Sequence, residues 1–314
     1  MRVIFMGTPD FSVETFNALI DAGHEIVCVV TQPDRMKGRG KTVQFPPVKE
    51  AAIERGITVY QPEKVRSPEF MEILNGIEAD IIVVVAFGQI LPKEILEMYP
   101  YGCVNVHASL LPAYRGAAPY QWVILNGEKI TGVTTQQMNE GIDTGDIIEK
   151  VEVEIAPDET AGSLHDKLSR AGADLCVSTL AAIEAGTATF TSQKDEESSY
   201  AKMLKKDMGN IDWTKGAEEI ERFIRGLNPW PSAYTKLNGK TLKIWKAQVL
   251  EENAENKAAG EFASYDKKSW VIQTGKGCLA LLEVQLEGKK RMGVEEFLRG
   301  YSLDKEENKC FYTE

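Results

Sequence analysis

Short, almost wholly apolar runs alternate with helix-length amphipathic stretches through the first half of this chain, and few architectures tolerate that order. Arg2–Met6, Glu25–Val30, Asp80–Phe87, Cys103–His107 and Gly132–Met138 read as strands. After its first residue, Asp80–Phe87 has no polar alternation, as befits a strand covered on both faces. Between the strands, Asp10 predicts a cap for a helix burying Val13, Phe16 and Ile20. Pro47–Arg55 reads as a helix stopped by Gly56, and Ser67-Pro68-Glu69 sets a cap before a first-turn proline. This alternation predicts a doubly wound α/β unit with a mostly parallel, Rossmann-like sheet. Ligands of such sheets bind beyond the carboxyl ends of the strands.

A helix from about Ser163 to Glu184, stopped by Gly186, closes that unit. Thr189–Lys206 is polar with few apolar anchors and reads as a linker. The period then shortens. After a helical Glu218–Leu227 come Tyr234–Leu237, Thr241–Val249, Ser269–Thr274 and Cys278–Val284, with Asn238-Gly239 a strong hairpin turn between the first two. These runs predict a small, OB-like β-barrel. The expected division is therefore 1–188 for a catalytic unit, 189–206 for the linker and 207–314 for the barrel.

No apolar run is long enough to span a bilayer, the longest being Ile81–Phe87, so no membrane association is expected. The five cysteines are scattered without a CxxC pair, which predicts reduced, buried thiols of a cytoplasmic protein. The net charge of -11 argues at first against a nucleic-acid partner, but it is unevenly placed. Lys205–Glu314 carries 19 Lys and Arg against 18 Asp and Glu, and the remainder 17 against 29. A near-neutral C-terminal part leaves room for a local basic face.

Three polar elements bear on chemistry. Gly7-Thr8-Pro9-Asp10 follows the first strand, but Pro9 and Ser12 stand where a dinucleotide-binding turn needs glycines, so a tight turn into a helix is the better reading. Asn105 and His107 lie two apart on a strand and project to one face at its carboxyl end. They fit either a catalytic pair or a satisfied structural pair. Gly141-Ile142-Asp143-Thr144-Gly145-Asp146 is an acidic turn that can bring a carboxylate to His107. There is no nucleophile elbow and no metal-ligand spacing. Asn, His and Asp together suit direct acyl transfer: two donors for a developing oxyanion and a carboxylate to favour the charged imidazole and assist proton removal.

The segments NVHASLLP (Asn105–Pro112), Tyr114-Arg115-Gly116-Ala117-Ala118-Pro119 and Gly141–Asp146 resemble the hallmark stretches of the 10-formyltetrahydrofolate-dependent formyltransferases. The resemblance implies a catalytic set of Asn105, His107 and Asp143, and a folate-contacting loop of Ser109, Leu110, Leu111 and Pro112. It covers nearly the whole chain. FMGTPDF (Phe5–Phe11) and TQPDRMKGRGK (Thr31–Lys41) are similar to the members that formylate methionine on charged initiator tRNA, as are Ile211-Asp212-Trp213 and Asn228-Pro229-Trp230-Pro231. This implies methionyl-initiator tRNA and 10-formyltetrahydrofolate as substrates, no metal, and tRNA contacts from Lys37, Arg39 and Lys41. A basic loop can also be merely a solvated one. Trp230 and Trp245 read as core residues rather than as stacking platforms. A monomer is expected. The alternatives are a folate-dependent transferase acting on a small amine (a ribonucleotide or an amino sugar) and a non-catalytic tRNA-binding protein.

Overall fold

The computed structural model describes residues 1–37, 42–254, 256–305 and 309–311. It divides into two compact units. The first comprises Met1–Pro119, Ile130–Glu154 and His165–Lys202; the second comprises Tyr120–Lys129, Ile155–Leu164 and Met203–Glu314.

The first unit is built on a seven-stranded sheet. Its strands are β1 (Arg2–Gly7), β2 (Glu25–Val30), β3 (Val59–Tyr60), β4 (Ile81–Val85), β5 (Cys103–His107), β6 (Ile130–Gln137) and β7 (Asp146–Glu154). Their order is β7-β6-β5-β4-β1-β2-β3. Strands β1 to β5 run parallel, β6 runs antiparallel to β5, and β7 antiparallel to β6. The mostly parallel sheet is as expected. Every residue of β4 and β5 is buried, which explains the unbroken apolar run of β4. Strand order reverses between β1 and β4, so the carboxyl ends of β1, β4 and β5 mark the ligand-binding edge.

Local chemistry sets the helices. The Ser67 hydroxyl accepts from Phe70 N ahead of α3 (Pro68–Asn75), with α2 being Pro47–Glu54. The Asp10 carboxylate accepts from Phe11 N to start α1 (Phe11–Asp21). Phe16 is buried as expected, together with Phe11, Thr15 and Leu19, whereas Val13 and Ile20 are only half-buried. The stripe from Phe11 through Phe16 to Leu19 carries more apolar surface and wins the core-facing position.

The stretch expected as a linker joins the first unit as far as Lys202. Thr191 forms a β-bridge with Ile147, and Tyr200–Ala201 pairs in parallel with Arg115–Gly116. Sequence polarity concealed this, because what fastens the stretch is backbone pairing and polar side-chain bonds rather than apolar anchors.

In the second unit β8 (Ala233–Leu237), β9 (Lys240–Leu250), β10 (Phe262–Tyr265), β11 (Trp270–Gln273) and β12 (Cys278–Leu286) form an antiparallel sheet ordered β8-β9-β12-β11-β10, with β13 (Met292–Gly293) paired to β12. The β-rich C-terminal part is as expected, although β10 is not legible in the sequence. Asn238 and Gly239 both have positive φ (49° and 72°), as the two-residue hairpin between β8 and β9 demands. An aromatic core fills the unit: Trp213 stacks on Phe311 at 5.3 Å, and Phe262 meets Trp270 edge-on at 5.1 Å. Trp230 is 55% exposed, which corrects its reading as a core residue. Trp245 is half-buried, with Lys243 and Arg291 over its ring at 5.3 and 4.9 Å. No helix among the described residues is long and apolar enough to cross a membrane.

Candidate active site

Strand register builds the site. Asn105 lies opposite Gln136, and His107 opposite Thr134, in the antiparallel β5–β6 pair. Directly opposed residues point to the same face, so Asn105, His107, Thr134 and Gln136 share one. Asn105 is 9% exposed and His107 6%, at the carboxyl end of β5.

The turn from Gly141 to Gly145 carries Asp143 onto this face. Asp143 Oδ1 accepts from Gln136 Nε2 at 3.1 Å and from Asn105 Nδ2 at 3.4 Å, and lies 3.5 Å from His107 Nδ1. Its Oδ2 accepts from Gly116 N at 2.8 Å. The short bonds thus hold the carboxylate from Gly116 and Gln136. The contacts to Asn105 and His107 are longer than a well-formed hydrogen bond, as catalytic contacts often are before substrate binds. On its other side His107 Nε2 sits 2.9 Å from Tyr114 O, an acceptor only. Both ring nitrogens therefore face oxygen acceptors. A substrate oxygen reaching the ring must displace one of these partners, whereas Asn105 keeps a second amide hydrogen free of any bond to Asp143.

Asp143 has φ 54°, in the left-handed region. An L-residue there costs about 1 kcal/mol, though Asp is among the side chains that tolerate it. The surrounding bonds hold it. Gln193 Nε2 donates to Asp143 O at 2.9 Å and to Gly145 O at 2.7 Å, and Gly145 N donates to Gln136 Oε1 at 3.1 Å.

The loop Ser109–Pro112 leaves β5 along a second set of bonds. Leu111 N donates to Thr134 Oγ1 at 3.1 Å, Thr134 Oγ1 donates to Ser109 O at 2.6 Å, and Lys150 Nζ donates to Leu111 O. The Ser109 hydroxyl turns inward to Ala113 O at 2.6 Å, and Ser109 and Leu111 are fully buried. A ligand at this loop would meet backbone, Leu110 and Pro112.

Asn105, His107 and Asp143, remote in sequence, are thus brought together. Of the basic loop, Lys37 ends a short strand (Arg35–Lys37) paired with Thr42–Gln44, and Arg39 and Lys41 lie outside the described residues. Sequence reasoning missed Gln136, Thr134, Lys150 and Gln193. The two-residue period of Gly132–Met138 would have flagged Thr134 and Gln136; nothing local flags Gln193. Among the described residues no group of three or more His, Cys, Asp or Glu could hold a metal ion.

Comparison with known proteins fits this geometry. Residues 1–180 match the family model described as formyl transferase, and residues 203–302 that of the formyl transferase C-terminal domain. A methionyl-tRNA formyltransferase of Agathobacter rectalis is 60% identical over 97% of this chain and 98% of its own length. Those of Lachnospira eligens and Clostridioides difficile are 54% and 51% identical, each over 97% of this chain and 98% of its own length. Among solved structures, a sugar 3N-formyl transferase crystallised with dTDP and 5-N-formyl-THF superposes with a TM-score of 0.70 at 22% identity, covering 92% of this chain and 99% of that one. A Helicobacter canadensis N-formyltransferase in complex with folinic acid and dTDP-3-aminofucose gives 0.69 at 20% identity, over 93% and 100%. At such identities these two carry the fold alone.

Proposed function

The chain belongs to the formyl transferase family, in the company of its methionyl-tRNA formyltransferases, and from that premise we propose how its own residues work. The enzyme moves the formyl group of 10-formyltetrahydrofolate to the free amino group of methionyl-initiator tRNA, in the cytoplasm. The observation that carries the reading is the meeting of Asn105, His107 and Asp143 at the carboxyl end of β5.

The amine nitrogen attacks the formyl carbon, and the carbonyl oxygen takes up negative charge. Asn105 Nδ2 and a His107 ring N–H donate to that oxygen, one such donor being worth about 3–4 kcal/mol. Collapse breaks the bond from the formyl carbon to the folate nitrogen. The amine loses one proton and the folate nitrogen gains one, so the exchange is balanced. Asp143 Oδ1, 3.5 Å from His107 Nδ1, orients the imidazole and assists that proton transfer, a contribution typically of about a hundred- to ten-thousand-fold. The loop Ser109–Pro112 borders the folate, with Leu110 and Pro112 as its accessible side chains. Lys37, Arg39 and Lys41 bind tRNA phosphates, an interaction that weakens steeply with added salt.

The test is an assay of purified protein with 10-formyltetrahydrofolate and, in parallel, methionyl-initiator tRNA, methionyl-elongator tRNA and an amino-sugar nucleotide. Formylation of the initiator far above the other two is expected. Use of the amino sugar with the tRNAs ignored would overturn the substrate assignment. Arg39→Ala and Lys41→Ala should raise KM for tRNA and leave folate binding unchanged.

A further inference from the structure

The Asp143 turn is held by a residue that acts at one remove from the chemistry. Gln193 lies in a polar stretch with nothing in its sequence to mark it, yet every polar atom of its side chain is used. Its Oε1 accepts from two nitrogens of one guanidinium, Arg115 Nε at 3.1 Å and Nη2 at 2.9 Å. Its Nε2 donates to the carbonyls of Asp143 and Gly145 at 2.9 and 2.7 Å. The fork from Arg115 fixes which end of the amide is oxygen, because a guanidinium can only donate. The amide nitrogen is therefore committed to the turn. Arg115 is itself held: it is 1% exposed, its Nη1 donates to Asp195 Oδ1 at 2.9 Å, and its backbone pairs with Tyr200. The next residue, Gly116, supplies the 2.8 Å N–H bond to the Asp143 carboxylate. One buried arginine thus governs both ends of Asp143, its carboxylate through Gly116 and its backbone through Gln193.

We propose that Gln193 is a positioning residue for formyl transfer, its amide oriented by Arg115 so as to fix the Asp143–Gly145 turn against His107. The proposal rests on the role given to Asp143 above. It makes residues 191–201 a strap across the site. Gln193 need not touch either substrate, so it should act on turnover and not on binding.

The experiment compares Gln193→Met, which keeps the length without any hydrogen-bonding group, with Gln193→Glu, which keeps the acceptor for Arg115 but cannot donate to the two carbonyls. Both should bind 10-formyltetrahydrofolate with a dissociation constant within about threefold of the parent. Both should lose kcat by on the order of a hundredfold, since a catalytic group displaced by about 1 Å costs that much. The KM for methionyl-tRNA should stay near that of the parent. Gln193→Met turning over within threefold of the parent would overturn the proposal. So would a loss confined to KM. If Gln193→Met fails to fold, Arg115→Lys decides: it keeps the buried cation but not the fork, and undiminished kcat would refute the relay. Should the parent formylate no tRNA, the substrate reading falls separately. A crystal structure of Gln193→Met then judges the positioning role, an unmoved Asp143 overturning it.

Discussion

Replacing Gly145 by alanine would put a methyl group where none fits. A Cβ built on Gly145 lies 1.8 Å from Gln137 O and 2.8 Å from Gln137 C, both backbone atoms. Contacts under 3.0 Å are essentially never found for real Cβ atoms, so one side must move by about 1.2 Å. Gln137 is anchored in β6, in register with Val104 and Asp146. The turn between Asp143 and Gly145 lies outside the strand ladder, held by side-chain bonds from Gln193 and Gln136, and should give way before the strand does. Overpacking of this kind costs typically about 1–3 kcal/mol, too little to unfold a domain stabilised by about 5–15 kcal/mol. Its effect should instead appear in the chemistry, because the displaced residues carry the Asp143 carboxylate. A shift of that size at a catalytic group costs on the order of a hundredfold in rate. Steady-state formylation of methionyl-initiator tRNA by Gly145→Ala should therefore show kcat reduced about a hundredfold, with folate still bound and the circular dichroism spectrum unchanged. A variant within threefold of the parent in kcat would refute the reasoning, since it would mean that the turn absorbs the displacement without moving Asp143.

Other outcomes follow from the same structure. Asn105→Ala removes the proposed oxyanion donor and should lower kcat by roughly a hundred- to a thousandfold, read in the same assay. Trp213 Nε1 donates to Thr235 Oγ1 at 3.2 Å, whereas Trp270 Nε1, fully buried, has no partner among the described residues. Denaturant titration should therefore find Trp213→Phe more destabilising than Trp270→Phe by about 1–2 kcal/mol, because only the first strands a polar partner while the second removes an unsatisfied donor. Burial pushes the Cys28, Cys103 and Cys176 thiols up to about 12 from an ordinary value of 9. A raised folded-state value adds stability that is complete below pH 9 and is lost as pH rises from 9 toward 12, so the melting temperature should fall across that window. Cys310, only partly buried, should be the first thiol modified by a disulfide reagent on the native protein.

How far the sequence reached depends on whether the relevant physics is local. The strand runs were readable because complete burial leaves an unbroken apolar stretch, as in Ile81–Val85, and the Asn238-Gly239 hairpin because two positive φ angles demand those residue types. Strand β7 (DIIEKVEVE) was missed although it alternates, since the acidic turn before it drew the reading toward a loop. Asn105 and His107 were found from a two-residue spacing. Asp143 could be nominated but not located by residue order, because its place is set by a turn and by partners from 7 to 50 residues away. Gln193 and the buried charge of Arg115 were out of reach. A polar residue in a polar stretch carries no sign of burial, and its partners are set by long-range pairing, of Thr191 with Ile147 and of Tyr200–Ala201 with Arg115–Gly116. The resemblance to formyltransferases supplied the reaction; the register of β5 on β6 supplies the reason those residues meet.

The role proposed for the Asp143 carboxylate, assisting transfer beside His107, can be isolated in one variant. Single-turnover formylation of methionyl-initiator tRNA by Asp143→Asn, with bound 10-formyltetrahydrofolate measured on the same sample, addresses it directly. The transfer rate should fall by about a hundredfold or more, with folate occupancy preserved. Transfer at the parental rate by that folded, folate-loaded variant would contradict it.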